Sequence, residues 1–320
     1  MGVMVRNQFF QAMTAAWTHN LIEFLDFRQK SLQYPMWMNV HTSKQAYETA
    51  VHYAGFGPAQ PKNEGEAVVY DSLIQGGTRR YVHQTYGLGM RSSYEFMQDD
   101  QTGMVEQSPK GLIQSHHFAQ EMTGANVFSL GFSSTGTLTD DGVSLYNNQH
   151  PLLGGAAATN VAPGVGTFST ASGTYPNRPQ TDADLSFTAL QYGSMVFQRM
   201  PNARGLLIAS RPSYLDAPPE LEFICDELLA SSGQPYTSDN TINSLVSMGL
   251  KKRIHSYFPS PSAWGLTAEK DQHRIMFYER EPIYVDRDRD FDQQAFKCLA
   301  ISRYSAGADT WINLFGSLGP

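Results

Sequence analysis

Residues 68–89, VVYDSLIQGGTRRYVHQTYGLG, constrain this chain more than any other stretch, because they read as a strand that reaches a Gly-Gly turn and comes straight back. Both arms are rich in β-branched and aromatic residues, as strands are. Gly76-Gly77 offers the positive φ values that a tight hairpin demands. The spacing therefore predicts a hairpin with Thr78, Arg79 and Arg80 at its tip and Tyr70, Tyr81 and Tyr86 along its arms. A two-stranded ribbon is marginally stable alone in water. Something must cover it, and no neighbouring segment has an obvious apolar face to do so.

With 320 residues the chain can bury a large core and divide into subdomains. Its charged fraction is 17%, below the roughly 25% of ordinary soluble domains, which leaves more surface for contacts. A net charge of −7 argues against gripping nucleic acid as the main task, though it allows a local basic patch. No apolar run approaches the ~20 residues that span a bilayer. Arg6, His19, Glu23 and Asp26 punctuate the apolar N-terminus, so neither a secretory signal nor an anchor is expected there. Cys225 falls on the apolar face of a helix pattern and Cys298 in a strand-like run, so both read as core thiols. Neither a disulfide framework nor a cysteine-built zinc site is available.

Residues 1–45 read as an arm, helical around Trp17 and then aromatic through Trp37. The stretch GFGPAQPKNEG (55–65) is a linker, broken by three Gly and two Pro. Ser92-Ser93 can cap a short helix carrying Tyr94, Phe96 and Met97. A long helix is expected from Ser108-Pro109, an N-cap and N1 pair, to about Gly131. Residues 131–184 are dominated by small and polar types that make loops and irregular strands, not a packed core. An α/β unit follows: a helix over 185–200, a short buried strand over 205–210, a helix over 218–230 and a strand over 253–258. Strands over 274–279 and 296–304 flank the run Asp286, Arg287, Asp288, Arg289, Asp290. Its alternating signs fit either a solvated turn, the simpler reading, or a strand with aspartates on one face and arginines on the other.

The candidates for chemistry are weak. His117 and Glu121, four apart on a helix, could share a metal with His116, but adjacent histidines point about 100° apart and the HExxH order is absent. A structural role is the better reading. Asp99-Asp100 and Asp140-Asp141-Gly142 read as turns. Lys251-Lys252-Arg253 is too short for a nucleic-acid groove and reads as a solvated strand entrance. No phosphate-binding glycine motif and no GxSxG elbow occurs. The residues thus point to no catalytic, cofactor-binding or metal-binding group.

The stretches LYNNQHPL (145–152), DLSFTAL (184–190), LIASRPSYLDAPPELE (207–222) and WINLFGSLG (311–319), in this order of parts, resemble the major capsid proteins of tailed bacteriophages with the Hong Kong 97-like fold. The resemblance covers most of the chain. It implies an α+β fold with an N-terminal arm (1–54), an extended hairpin loop (55–91), a peripheral domain with a long spine helix over about 108–128 (92–183), an α/β axial domain (184–272) and a return to the peripheral domain (273–320). It further implies a homo-oligomeric shell of hexamers and pentamers that encloses double-stranded DNA without sequence-specific contacts. A separate scaffolding protein, a portal and decoration proteins would be its partners, with the virion as its location and the host bacterial cytoplasm as its place of assembly. No membrane is involved.

Some relatives carry a scaffolding segment before the arm, and here the arm begins at Met1. Others link a loop lysine covalently to a neighbouring asparagine. No lysine lies between Glu64 and Gly89, so that lock is not expected. Intersubunit contacts are expected at Tyr70, Thr78, Arg79, Arg80, Tyr81, Tyr86, Trp17, Trp37, Asp286, Arg287, Asp288 and Arg289. An encapsulin-type compartment or a gene-transfer-agent head are alternatives within the same fold. An α/β hydrolase-like enzyme centred on 184–270 is the alternative from another class.

Overall fold

The computed structural model describes residues 24, 31–59, 61–101, 103–152, 173–234, 242–290, 292 and 295–319; Trp17 lies outside them. In chain order the elements are α1 (Tyr34–Trp37), β1 (Asn39–Thr42), β2 (Tyr47–Ala54), β3 (Ile74–Val82), β4 (Gln84–Ser92), α2 (Tyr94–Asp99) and α3 (Met104–Ser129). Then come β5 (His150–Pro151), β6 (Thr174–Tyr175), α4 (Phe187–Gln198), β7 (Tyr214–Ala217), α5 (Glu222–Ala230), β8 (Lys251–Ile254) and β9 (Trp264–Thr267). The chain ends with β10 (Ile275–Arg289), β11 (Phe296–Ala308) and β12 (Leu314–Ser317). None of the described helices is long and apolar enough to cross a membrane.

One four-stranded sheet is ordered β1-β10-β11-β4 and backs onto α3. The side chains of β11 alternate, so Phe296, Cys298, Ala300, Ser302 and Tyr304 are buried on one face, as a strand's period of two requires. His116 of α3 locks onto that strand: Nε2 lies 2.9 Å from Ala300 O and Nδ1 2.8 Å from Ser302 Oγ. A second four-stranded sheet is ordered β12-β9-β7-β8. Leu190 and Phe197 of α4, Cys225 and Leu228 of α5, and Leu215, Leu266 and Phe315 of the strands form its core. Each such large side chain, fully buried, contributes about 1.5–3 kcal/mol.

Several expected elements stand where the sequence placed them. Ser93 Oγ accepts from Phe96 N at the start of α2, and Ser186 Oγ from Ala189 N at the start of α4. Asp140-Asp141-Gly142 is a turn, with Gly142 at φ +77°.

Others differ. The Gly-Gly hairpin does not exist: residues 74–82 form one continuous strand, and β4 leaves the ribbon to pair with β11. The true partner of β3 is β2, in the register Tyr47↔Val82, Ala50↔Arg79 and Val51↔Thr78. Gly77 is glycine because a Cβ there would meet the Asp140 carbonyl oxygen at 1.8 Å, so its smallness serves a close approach and not a turn. The ribbon's connection is therefore 55–73, which contains Lys62, so the argument from a lysine-free loop over 64–89 does not describe it.

The long helix begins at Met104 and not at Ser108, because Gly103, at φ +69°, breaks the chain one turn earlier and leaves Pro109 inside the helix. Residues 205–210 are not a strand. Gly205 sits at φ +80° in a turn built on Asn202, and Leu207 and Ile208 are exposed. The strand over 253–258 ends at Ile254. The run 286–289 is no solvated turn but the end of β10, each residue paired with β11 from Asp286↔Leu299 to Arg289↔Phe296. Within 131–184, Leu145, Tyr146 and Tyr175 are core residues, contrary to the composition. Asn177 makes this possible: its Nδ2 donates to Leu145 O at 2.7 Å and its Oδ1 accepts from Asn147 N at 2.8 Å, which satisfies irregular backbone inside the core.

Candidate interaction surface

Tyr47–Ala54 and Ile74–Val82 make a two-stranded ribbon whose root is bolted to the first sheet. The Tyr81 hydroxyl donates to Asp309 Oδ1. His83 spans two hydroxyls, with Nδ1 3.0 Å from Ser305 Oγ and Nε2 3.1 Å from Ser43 Oγ. Burial and the nearby Arg303 charge push the His83 pKa down, so the ring is neutral and both contacts are ordinary hydrogen bonds. Midway along, the backbone at Gly77 touches Asp140, whose Oδ2 lies 2.9 Å from His52 Nδ1. A cleft of about 250 Å³ opens there between the ribbon and the body, with Trp311, Leu152 and Asp141 on its far wall.

Beyond these anchors the ribbon presents apolar surface to solvent. Tyr53, Phe56, Val68, Val69 and Leu73 are all exposed, and Tyr70 is 94% exposed. Exposure of this many large apolar side chains on one projection marks a surface meant to be covered. Tyr53 and Phe56 were not anticipated, because the sequence placed them in an arm and a linker. Their signal is apolar bulk beside glycines, which by itself does not distinguish a linker from a binding loop.

The expected contact residues divide. Thr78 is exposed, and Arg80 is exposed with its guanidinium 3.6 Å over the Tyr47 ring. Arg79 is half-buried, 5.9 Å over Tyr81. Asp286 and Asp288 are exposed on β10, Arg287 is half-buried, and Arg289 ends the strand. Tyr86 is half-buried and stacks on Tyr304 at 4.4 Å. Two others are buried within the chain. Tyr81 is 3% exposed because it closes the ribbon's root, and Trp37 is 3% exposed, edge-on to His255 at 5.5 Å and Phe258 at 6.2 Å. Both rings are already covered within the chain.

The polar clusters are engaged structurally. Glu121 accepts from Gln33 N and, at 3.0 Å, from Tyr34 N, so it fixes the start of α1. Arg253 is no solvated entrance: it is buried, with Nε 2.7 Å from Asp216 Oδ1 and Nη2 2.8 Å from Asp216 Oδ2. His255 Nε2 shares Oδ1 at 2.7 Å, and Thr267 donates to Oδ2 at 2.7 Å. Burial opposes ionisation of Asp216, but the Arg253 charge and the His255 hydrogen bond outweigh it and hold the carboxyl well below the usual range. The fork also reaches Met36 O at 3.3 Å, so the network ties α1 to the second sheet. Each oxygen of the buried carboxylate thus accepts two hydrogen bonds, as a buried charge requires. Among the described residues, no group of three His, Cys, Asp or Glu side chains is placed to hold a metal ion.

The family model described as phage capsid protein matches residues 77–311. A solved chain from Microbacterium phage Oxtober96 is similar over 90% of this chain and 91% of its own, at 10% identity and a TM-score of 0.55. The capsid of Myoviridae phage XM1 matches over 92% of each chain at 11% identity and a TM-score of 0.51. The capsid of a native GTA particle matches over 90% of each at 11% identity and a TM-score of 0.52. At such identities the likeness is one of fold: a mixed α/β architecture shared with phage capsid structures. No curated protein matches the chain.

Proposed function

This chain belongs to the phage capsid protein family, a class of shell-forming structural proteins and not of enzymes, and on that premise we propose that its ribbon is the arm by which each subunit holds the next. The observation that carries this is the anchored projection of 47–82 with its apolar connection 55–73 bare, Tyr70 above all. An aromatic side chain buries about 150–250 Å² when covered. A handful of such residues approaches the ~800 Å² per partner of a specific interface, and each subunit in a closed shell is held at several edges at once. Arg80, Thr78 and the Asp286, Arg287, Asp288, Arg289 run are polar contacts around it.

In this reading the fold is Hong Kong 97-like. α3 is the spine helix of a peripheral domain made with the β1-β10-β11-β4 sheet, and 184–272 with β12 forms the axial domain. The extended loop is 47–82, which moves the end of the arm to residue 46. The subunits form hexamers and pentamers in an icosahedral virion head that encloses double-stranded DNA, assembled in the bacterial cytoplasm with a scaffolding protein and completed by a portal and decoration proteins. The acidic balance suits a container that does not grip its contents. A gene-transfer-agent head is the second reading, favoured by the fold shared with the GTA capsid.

The test replaces 58–70 with a short Asn-Gly turn. Wild-type chain expressed together with its neighbouring gene products forms closed shells visible by negative-stain microscopy, whereas the variant expressed in the same way stays as folded, unassembled subunits. Closed shells from the variant would refute the ribbon's role.

A further inference from the structure

Among the described residues, Arg204 ties the far end of the ribbon to the body. Arg204 Nη1 donates to Asp71 Oδ2 at 2.6 Å, to Gly55 O at 3.1 Å and to Ser72 O at 3.4 Å, while Nη2 donates to Asp71 Oδ1 at 3.3 Å. Gly55 follows β2 directly, and Ser72 lies just before β3. One guanidinium therefore holds both chain ends at the point where 58–70 departs. Asp71 completes the ring by accepting from Gly57 N at 2.7 Å.

Arg204 is itself aimed. Asn202 Oδ1 accepts from Arg204 N and Leu206 N, each at 2.9 Å, and Asn202 N donates to Leu206 O at 2.7 Å. Gly205 at φ +80° closes this turn, in a conformation that side-chain-bearing residues rarely adopt. Leu207 and Ile208 beside it are exposed, while Ala203 within it is buried and seats the turn on the body. It presents an arginine.

We propose that Arg204 is a positioning residue for shell assembly, fixing the direction in which the apolar connection leaves the subunit. The proposal rests on the reading of the ribbon as an intersubunit arm. Its physical basis is leverage: about six extended residues reach ~20 Å from their anchor, so a modest swing at the anchor displaces the tip by several ångströms. That is enough to miss a complementary surface. An exposed ion pair adds little to stability, so the clamp's worth lies in direction and not in holding the fold. The hydrogen bond from Gly57 N and the Arg204 fork hold the Asp71 carboxyl down at about 2, so the clamp persists in mild acid and yields to salt.

The experiment compares full-length wild type with Arg204→Ala, Arg204→Lys and the reversed pair Asp71→Arg/Arg204→Asp. It follows melting of unassembled subunits, hydrogen exchange over 55–57 and 71–73, and shell yield and diameter. Arg204→Ala is expected to melt as wild type does, to exchange faster in those two segments only, and to lose closed shells by about tenfold, with open or irregular particles in their place. Arg204→Lys keeps the charge but not the fork, and is expected to show the same defect in milder form, which serves if the alanine variant does not fold. The reversed pair restores the charge pairing but not the bonds to Gly55 O and Ser72 O or the one from Gly57 N, and is expected to recover shell yield only in part. Wild-type yield and diameter from both single variants would overturn the proposal, as would melting that falls in step with assembly. Wild-type shells in the same experiment test the capsid reading separately, so a failure of the clamp alone is recognisable.

Discussion

The Tyr81 hydroxyl donates to Asp309 Oδ1 with both side chains buried, at the point where the ribbon joins the body. Burial raises the Asp309 pKa, and the Tyr81 and Arg274 contacts only partly counter it. A raised carboxyl pKa means that the ionised form costs the fold, and costs more as pH rises through the carboxylate range. Tyr81→Phe removes the main donor and is expected to destabilise the subunit by about 1–3 kcal/mol at neutral pH. Because protonating Asp309 relieves the loss, the gap between variant and wild type should narrow towards about pH 4. Urea unfolding at both pH values checks it; an equal gap would mean that Asp309 does not carry the effect.

Trp37 belongs to the core. Trp37→Ala is expected to cost the unassembled subunit about 3–5 kcal/mol, the range for truncating a buried Trp. Had the ring served a neighbouring subunit instead, the isolated chain would melt unchanged and only assembly would fail. Calorimetry of unassembled subunits separates these outcomes.

Asp216→Asn leaves Arg253 buried without its counter-charge, and breaking such a pair costs about 3–5 kcal/mol. Asp216 has a depressed pKa, so its contribution is fully present above the ordinary Asp value of about 3.9 and is lost as pH falls below it. Acid denaturation of the wild type should therefore show a component that Asp216→Asn lacks. Parallel acid titrations followed by circular dichroism would reveal it, and superimposable curves would contradict it.

Gly77→Ala introduces a Cβ 1.8 Å from the Asp140 carbonyl oxygen, a contact that only backbone movement can relieve. The cost is expected at or above the upper end of the about 1–3 kcal/mol typical of overpacking. Gly142→Ala, where the space is open, keeps only the strain of its positive φ and should cost less. Thermal melts of the two variants give the comparison, and the reverse order would remove the close approach as the reason for glycine at 77.

Local chemistry was legible in this sequence, and partnership was not. Ser93 and the Asp140-Asp141-Gly142 turn act through hydrogen bonds to near neighbours, so their residues alone announce them. Cys225 declares its burial through helical spacing. Gly76-Gly77 misleads because a turn and a close approach favour the same residue, and only Asp140, more than sixty positions away, decides between them. Residues 286–289 look like a solvated turn until β11 pairs with them. Arg253 looks solvated until Asp216 meets it. Trp37 and Tyr81 carry the aromatic signature of an interface, which is also that of a core. The hairpin expected over 68–89 is absent: its turn lies inside β3, its outbound arm 68–73 is no strand, and nothing local in 47–54 names residues 74–82 as its partner.

β3 runs into β4 with only His83 between them, so the arm and an edge strand of the first sheet are one stretch of backbone. On the proposal that the ribbon is an intersubunit arm, a pull on it enters the first sheet through β4, which is paired with β11 from Gln84 to Ser92. On the same proposal the load passes from β4 to β11 and, through His116, to the long helix behind it.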